Sequence, residues 1–187
     1  MRLSVAVPLL VLSVLIGPRQ MAHAYVREPW TWEKRVLTYS VPPELQAYAV
    51  EAMATWSAYG DIQFKAGGHD VDFVHVEPSV AARAQMAPKL LCRNSSCQAP
   101  YDITHCEIRA GAQFFAEPDA QRTKLLVHEL GHCLGLDHTS EASIMSVLPI
   151  GGLTWSGDDV RGIQSLYGPS SRIGWNIQRV PLVASDR

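Results

Sequence analysis

Leu45, Ala49, Ala52, Met53 and Trp56 recur at intervals of three and four. That period predicts a helix from Glu44 to Tyr59 with one apolar face, closed by Gly60. The residues just before it, 35–41, alternate instead and carry β-branched side chains, which predicts a first strand ended by Pro42-Pro43. A second strand is expected at Ile62 to Lys65. After the Gly67-Gly68 turn comes a third at Val71 to Val76, with Val71, Phe73 and His75 on one face. Val80–Ala87 reads as a further strand, and Ile103–Phe115 as another strand and its exit. Glu117-Pro118-Asp119 opens a second helix, buried through Leu125, Leu126, Leu130 and Leu134. Ser156 is placed as N-cap of a third helix, with Asp158 and Asp159 at the positive end of its dipole. Val160, Ile163, Gln164 and Tyr167 continue that helix to the stop signal Gly168-Pro169. Residues 25–34 form an aromatic lead-in without periodicity, and the C-terminal stretch reads as a loosely attached tail.

The front of the chain changes the compartment. Arg2 is followed by an almost wholly apolar run from Leu3 to Gly17, and Ala22-His23-Ala24 has the small-x-small pattern of a cleavage site. Pro8 interrupts the run, which is also short for a membrane span, so residues 1–24 are expected to be a secretory signal peptide. The protein is then secreted, to the periplasm or the external medium, with no membrane anchor after cleavage. The remaining chain suits one domain with a single core. Its domain spans 25–168, and 169–187 is the tail. Sixteen basic against eighteen acidic residues, without charge runs, argue against nucleic acid or an anionic membrane as partner. Four cysteines in an exported chain fit two disulfides. Three pairings are possible. The turn-like Arg-Asn-Ser-Ser between Cys92 and Cys97 favours that bridge, leaving Cys106 with Cys133.

Candidate chemistry concentrates in residues 128–138, His-Glu-Leu-Gly-His-Cys-Leu-Gly-Leu-Asp-His. On a helix, His128 and His132 lie about 40° apart around the axis and about 6 Å apart along it, so both imidazoles can reach one ion. Gly135 lets the chain leave the helix, and His138 can then return as a third ligand. Three histidine ligands with an open fourth position describe a catalytic Zn²⁺ site. Glu129 points too far round the helix to be a ligand. It is placed beside the open position, where it can act as general base and then acid. Cys133 lies past His132 on the helix, and a disulfide or buried thiol suits it better than ligation.

The extended zinc motif, followed by Ser143-Ile144-Met145-Ser146, resembles the metzincins with their methionine turn. "RVLTYSV", "AMATWS", "VDFVHV", "SIM" and "DDVRGIQSLYG" fall in the order seen in matrixins, the matrix-metalloproteinase-like peptidases. The resemblance covers roughly residues 35–168. It implies an α/β zincin fold: a twisted, mostly parallel sheet with an antiparallel edge strand, a long zinc-bearing helix, and a small C-terminal subdomain. It makes Met145 the apolar floor beneath the zinc, without ligation. It also makes Leu148, Pro149 and Ile150 the wall of the pocket that takes the substrate residue past the cut. Ala82, Arg83 and Ala84 fall in the edge strand that pairs with an extended polypeptide substrate.

Two departures accompany the likeness. Relatives carry a propeptide cysteine that blocks the zinc, and no cysteine precedes Cys92 here. Relatives also often hold a structural zinc and calcium ions through a long loop and an "A-H-A" histidine. Arg83 stands at that histidine, and His105, which matches another ligand, is expected to lack companions. One catalytic Zn²⁺ is therefore expected, with Ca²⁺ possible but not indicated. His69 and His75 are read as structural or solvated.

The expected activity is zinc endopeptidase action by a monomer on exported or extracellular proteins. The rivals are a zinc-stabilised peptide-binding pseudoenzyme, disfavoured by the intact Glu129, and a secreted zinc amidase.

Overall fold

The computed structural model describes residues 25–76, 82–89, 101–147 and 153–171. The apolar leader, Cys92, Cys97, Leu148, Pro149, Ile150 and the tail from residue 172 lie outside the described residues. The chain opens with β1 (Val26–Arg27), β2 (Trp30–Thr31) and β3 (Val36–Ser40). A 3₁₀ turn at Pro43–Leu45 leads into α1 (Gln46–Tyr59), followed by β4 (Gln63–Ala66) and β5 (Val71–His75). β6 (Ala82–Lys89), β7 (Tyr101–Ala110) and the short α2 (Ala112–Ala116) come next. α3 (Asp119–Cys133), β8 (Leu136–Asp137) and α4 (Gly157–Tyr167) complete the order.

β2, β7, β5, β3 and β4 lie side by side in one parallel sheet. β6 pairs antiparallel with β7 and runs beside α3. This is the mixed α/β architecture expected, antiparallel strand included. β1 and β8 form a separate two-stranded ribbon. α1 packs along α3, and the Trp56 indole donates to the Val127 carbonyl at 2.8 Å. The core fills the space between these helices and the sheet. Trp56, Phe73, Phe114, Leu37, Leu126 and Ile163 are among its largest fully buried side chains.

The helix stripe is where its spacing put it: Leu45, Ala49, Ala52, Met53 and Trp56 are all buried. Its start differs, because Pro43 begins a tighter turn before α1. The second strand is shifted by one residue, since Ile62 N–H turns back to the Gly60 carbonyl and Gln63 is the first to bond across, to Arg35. Of the face predicted for β5, Val71 and Phe73 are buried. His75 stands at the strand's end, its ring against Phe115 and its Nδ1 3.4 Å from the Glu44 carboxylate. In the stretch read as a strand and its exit, the strand stops at Ala110 and the exit is the short α2, which buries Phe114.

The lead-in holds structure its sequence does not advertise. β1 and β2 are two residues each, too short for any period, and are fixed by distant partners. The Trp32 indole donates to the Cys133 carbonyl at 2.8 Å, and the Tyr167 hydroxyl donates to the Leu134 carbonyl at 2.7 Å. The end of α3 is thereby clamped from both termini of the domain.

Candidate metal centre

His128 and His132 lie on the buried stretch of α3, and β8 leads directly to His138. The three Nε2 atoms form a triangle with every side 3.2 Å. Two backbone carbonyls set the chemistry of that triangle. His128 Nδ1 donates to Ile144 O at 2.7 Å, and His132 Nδ1 donates to Leu136 O at 2.8 Å. A carbonyl oxygen only accepts, so in each neutral ring the proton sits on Nδ1 and Nε2 presents a lone pair. Burial lowers the His128 pKa, and burial together with neighbouring His128 pushes His132 down to about 4. Both rings are thus neutral near pH 7, with acceptor facing acceptor across 3.2 Å. A cation between them would satisfy both lone pairs. A tetrahedral ion bound to imidazole at 2.0–2.1 Å spaces its donors by about 3.4 Å, close to the separation seen. The three histidines could therefore hold a metal ion.

His138 is solvent-exposed while its two partners are buried, so the triangle opens to solvent on one side. Glu129, directly after His128 on the helix, is buried. Met145 is buried too, and packs against α3 between the two helical histidines. A Cβ at Gly131 would collide with the Met145 sulfur and lie 2.8 Å from the Trp56 ring, so the glycine of the motif exists for this close approach. Gly135 has φ +95°, and a Cβ there would stand 2.5 Å from the Trp30 carbonyl oxygen. Both the handedness and the crowding at this exit demand glycine.

Among the other residues singled out, Ala82, Arg83 and Ala84 lie in β6, in register with Ala110, Arg109 and Ile108 of β7. Cys106 and Cys133 are joined as a disulfide, tying β7 to the end of α3. That bond removes Cys133 from consideration as a ligand.

A matrixin family model matches residues 29–168. This chain belongs to the matrixin family. Matrixins are zinc metalloendopeptidases. Their macrophage metalloelastase from Oryctolagus cuniculus is 47% identical to it over 47 residues, 22% of this chain and 10% of that protein. The interstitial collagenase of Sus scrofa is 40% identical over 50 residues, 25% of this chain and 11% of the relative. Matrix metalloproteinase-16 of Homo sapiens is 36% identical over 62 residues, 30% of the chain and 10% of the relative. The matched regions thus span about a tenth of the length of these curated relatives.

In this matrixin two further groups shape the site. Asp159 was visible as part of a helix cap, and it does form a capping box with Ser156. Its reach is longer. Oδ2 also accepts from Ile144 N at 3.1 Å, and Oδ1 from Met145 N at 3.3 Å. Ile144 is the residue whose carbonyl orients His128, so the carboxylate supports both the methionine turn and a ligand's hydrogen bond. No sequence signal marks that span of fifteen residues. Glu28 and Asp137 form the second group, with carboxylate oxygens within 4.8 Å of each other and of a His132 nitrogen. Burial, and then Asp137, raise the Glu28 pKa. Glu28 lies in the lead-in and had no motif to flag it.

Proposed function

We propose that this matrixin is an exported zinc-dependent endopeptidase that cuts polypeptides bound as an extended strand along β6. The observation that carries the reading is the triangle of Nε2 atoms, each side 3.2 Å. His128, His132 and His138 hold Zn²⁺, and the Nδ1 hydrogen bonds of the first two fix their tautomers before the ion arrives. Zinc in that position supplies Lewis-acid polarisation of the scissile carbonyl and acidifies water. Glu129 accepts the proton of the attacking water and returns it to the leaving amine. Met145 keeps the underside of the site dry and rigid. Among the described residues β6 pairs only with β7, and its other edge offers backbone N–H and C=O groups to the substrate chain, which aligns the peptide while tolerating varied side chains. Leu148, Pro149 and Ile150 favour a medium or large apolar residue past the cut. Export is supported by the apolar leader and by the Cys106–Cys133 disulfide, which persists in oxidising compartments. Among the described residues no helix is long and apolar enough to cross a membrane.

The test is hydrolysis of casein and of a peptide library by the mature protein, with and without 1,10-phenanthroline. Chelation should abolish cleavage. Glu129→Gln should bind zinc at full stoichiometry and lose at least a hundredfold in kcat/KM. A wild-type protein that takes up zinc and cuts no peptide would turn the reading toward a binding module, and release of non-peptide products toward an amidase.

A further inference from the structure

The last turn of α3 is joined covalently to the sheet, one residue from a candidate ligand. Cys133 directly follows His132 and is bonded to Cys106 of β7, and both cysteines are fully buried. The two sides of that bond differ in how far they can yield. Cys106 lies inside the sheet, in register with Val71 of β5 on one side and Met86 of β6 on the other. Its N–H donates to the Asp70 carbonyl at 2.8 Å. Cys133 ends a helix. Beyond it the chain is held by isolated hydrogen bonds, from the Trp32 indole to the Cys133 carbonyl, Tyr167 hydroxyl to Leu134 O and Glu28 N–H to Gly135 O, and by the two-residue β1–β8 ribbon. A change in spacing at this junction therefore falls on the end of α3.

Bonded sulfurs sit about 2.05 Å apart, whereas unbonded heavy atoms settle about 3.5–4.0 Å apart. The reduced pair thus needs at least about 1.5 Å more room, in an interior packed without voids to receive it. The movement falls beside the ligands. His132 precedes Cys133, the Leu136 carbonyl that accepts from His132 Nδ1 comes three residues after it, and His138 follows two further on. His128 is held separately, by the Ile144 carbonyl. Reduction thus shifts two corners of the Nε2 triangle against the third, while metal–ligand distances tolerate only about 0.2 Å. We propose that Cys106–Cys133 is a latch on the metal centre: the chain binds zinc poorly while both thiols are reduced, and their oxidation makes it competent. The inference rests on the three-histidine zinc reading above. The step is exchange with a disulfide-bearing oxidant. One cysteine thiolate attacks the oxidant and releases one of its thiols, and the other cysteine then displaces the oxidant from the mixed disulfide. The oxidant departs as a dithiol with the two electrons and two protons that the cysteines gave up. Because both residues are fully buried, the closed bond is shielded from reductants, and the latch closes once, during folding.

The experiment is zinc competition against a chromophoric chelator, on the full mature chain refolded with the disulfide formed and, anaerobically, with both thiols reduced. The oxidised protein should bind zinc at least tenfold more tightly. Cys106→Ala, Cys133→Ala and the double variant relieve the crowding of the two sulfurs without restoring the cross-link. Those that fold, by circular dichroism, should bind zinc within about threefold of the oxidised wild type, well above the reduced wild type. Equal affinity of oxidised and reduced wild type would overturn the latch and leave the zinc reading standing. Loss of zinc binding in all three alanine variants would overturn it too, because the cross-link and not sulfur crowding would then hold the centre. An oxidised wild type that takes up no zinc would sink the zinc reading and the latch together.

Discussion

Replacing Asp159 by asparagine removes one charge from a nearly solvent-free position, 2% exposed, and tests how the metal centre is braced. The carboxylate accepts from Ser156 N at 2.7 Å, Ser156 Oγ at 2.9 Å, Ile144 N at 3.1 Å and Met145 N at 3.3 Å. Asparagine keeps one acceptor oxygen. Its best placement is at Oδ2, which preserves three of these bonds in weaker, neutral form. Its amino group then faces Met145 N–H, which still has Ser143 Oγ at 3.0 Å. Hydrogen bonds to charged groups contribute about 1 kcal/mol more than neutral ones, so three weakened bonds amount to about 3 kcal/mol. Urea denaturation of the metal-free protein should register that loss. A second effect should appear in the folded protein. As the Ile144 peptide shifts, its carbonyl leaves His128 Nδ1, now at 2.7 Å, and zinc affinity should fall about tenfold to a hundredfold. Chelator competition measures it directly. A folded Asp159→Asn protein with wild-type zinc affinity would refute the reasoning, because Ile144 would then be held by its own backbone alone.

Acid should destabilise the metal-free protein through His132. Its folded pKa of about 4 lies below the ordinary 6.5, so the stability it contributes is complete above 6.5 and drains away as pH falls toward 4. The shift corresponds to about 3 kcal/mol, and thermal melting of His132→Gln should lack that part of the pH dependence. If the two proteins melt in parallel across the window, the burial argument is wrong. Gly131→Ala should cost about 1–3 kcal/mol by forcing Met145 and Trp56 aside, read as a lower urea midpoint. An unchanged midpoint would mean that Met145 moves freely. Converting Cys106 and Cys133 to alanine opens a loop with a sequence separation of 27. Chain entropy puts the expected loss at about 3–4 kcal/mol, and calorimetry on the double variant checks it.

The ligand triangle was legible because its geometry is local. His128 and His132 share one helix, and Gly135 has to turn the chain before His138 can return, so spacing alone encodes the convergence. The α1 stripe and the Ser156 cap were legible for the same reason. What stayed hidden depends on contacts between distant segments. β1 and β2 have no period of their own and exist because Leu136, Asp137, Tyr101 and Asp102 supply their partners. Asp159 read as an ordinary cap, since its second set of acceptor contacts crosses to another loop. The contacts of His105 with the His69 carbonyl and Asp72 were hidden for the same reason, since strand register brings these groups together. Glu28 had neither a motif nor a neighbour in sequence to give it away.

The ribbon of β1 and β8 joins Val26 to Asp137, in the very stretch between the second and third histidines. The earliest described strand and the last link of the triangle therefore have to find each other across most of the domain. A chain part-way through synthesis or translocation has the helix that carries His128 and Glu129 only once more than a hundred residues have emerged, and the turn to His138 later still. Assembly of the cleft therefore waits until both segments are present, a delay that topology itself imposes.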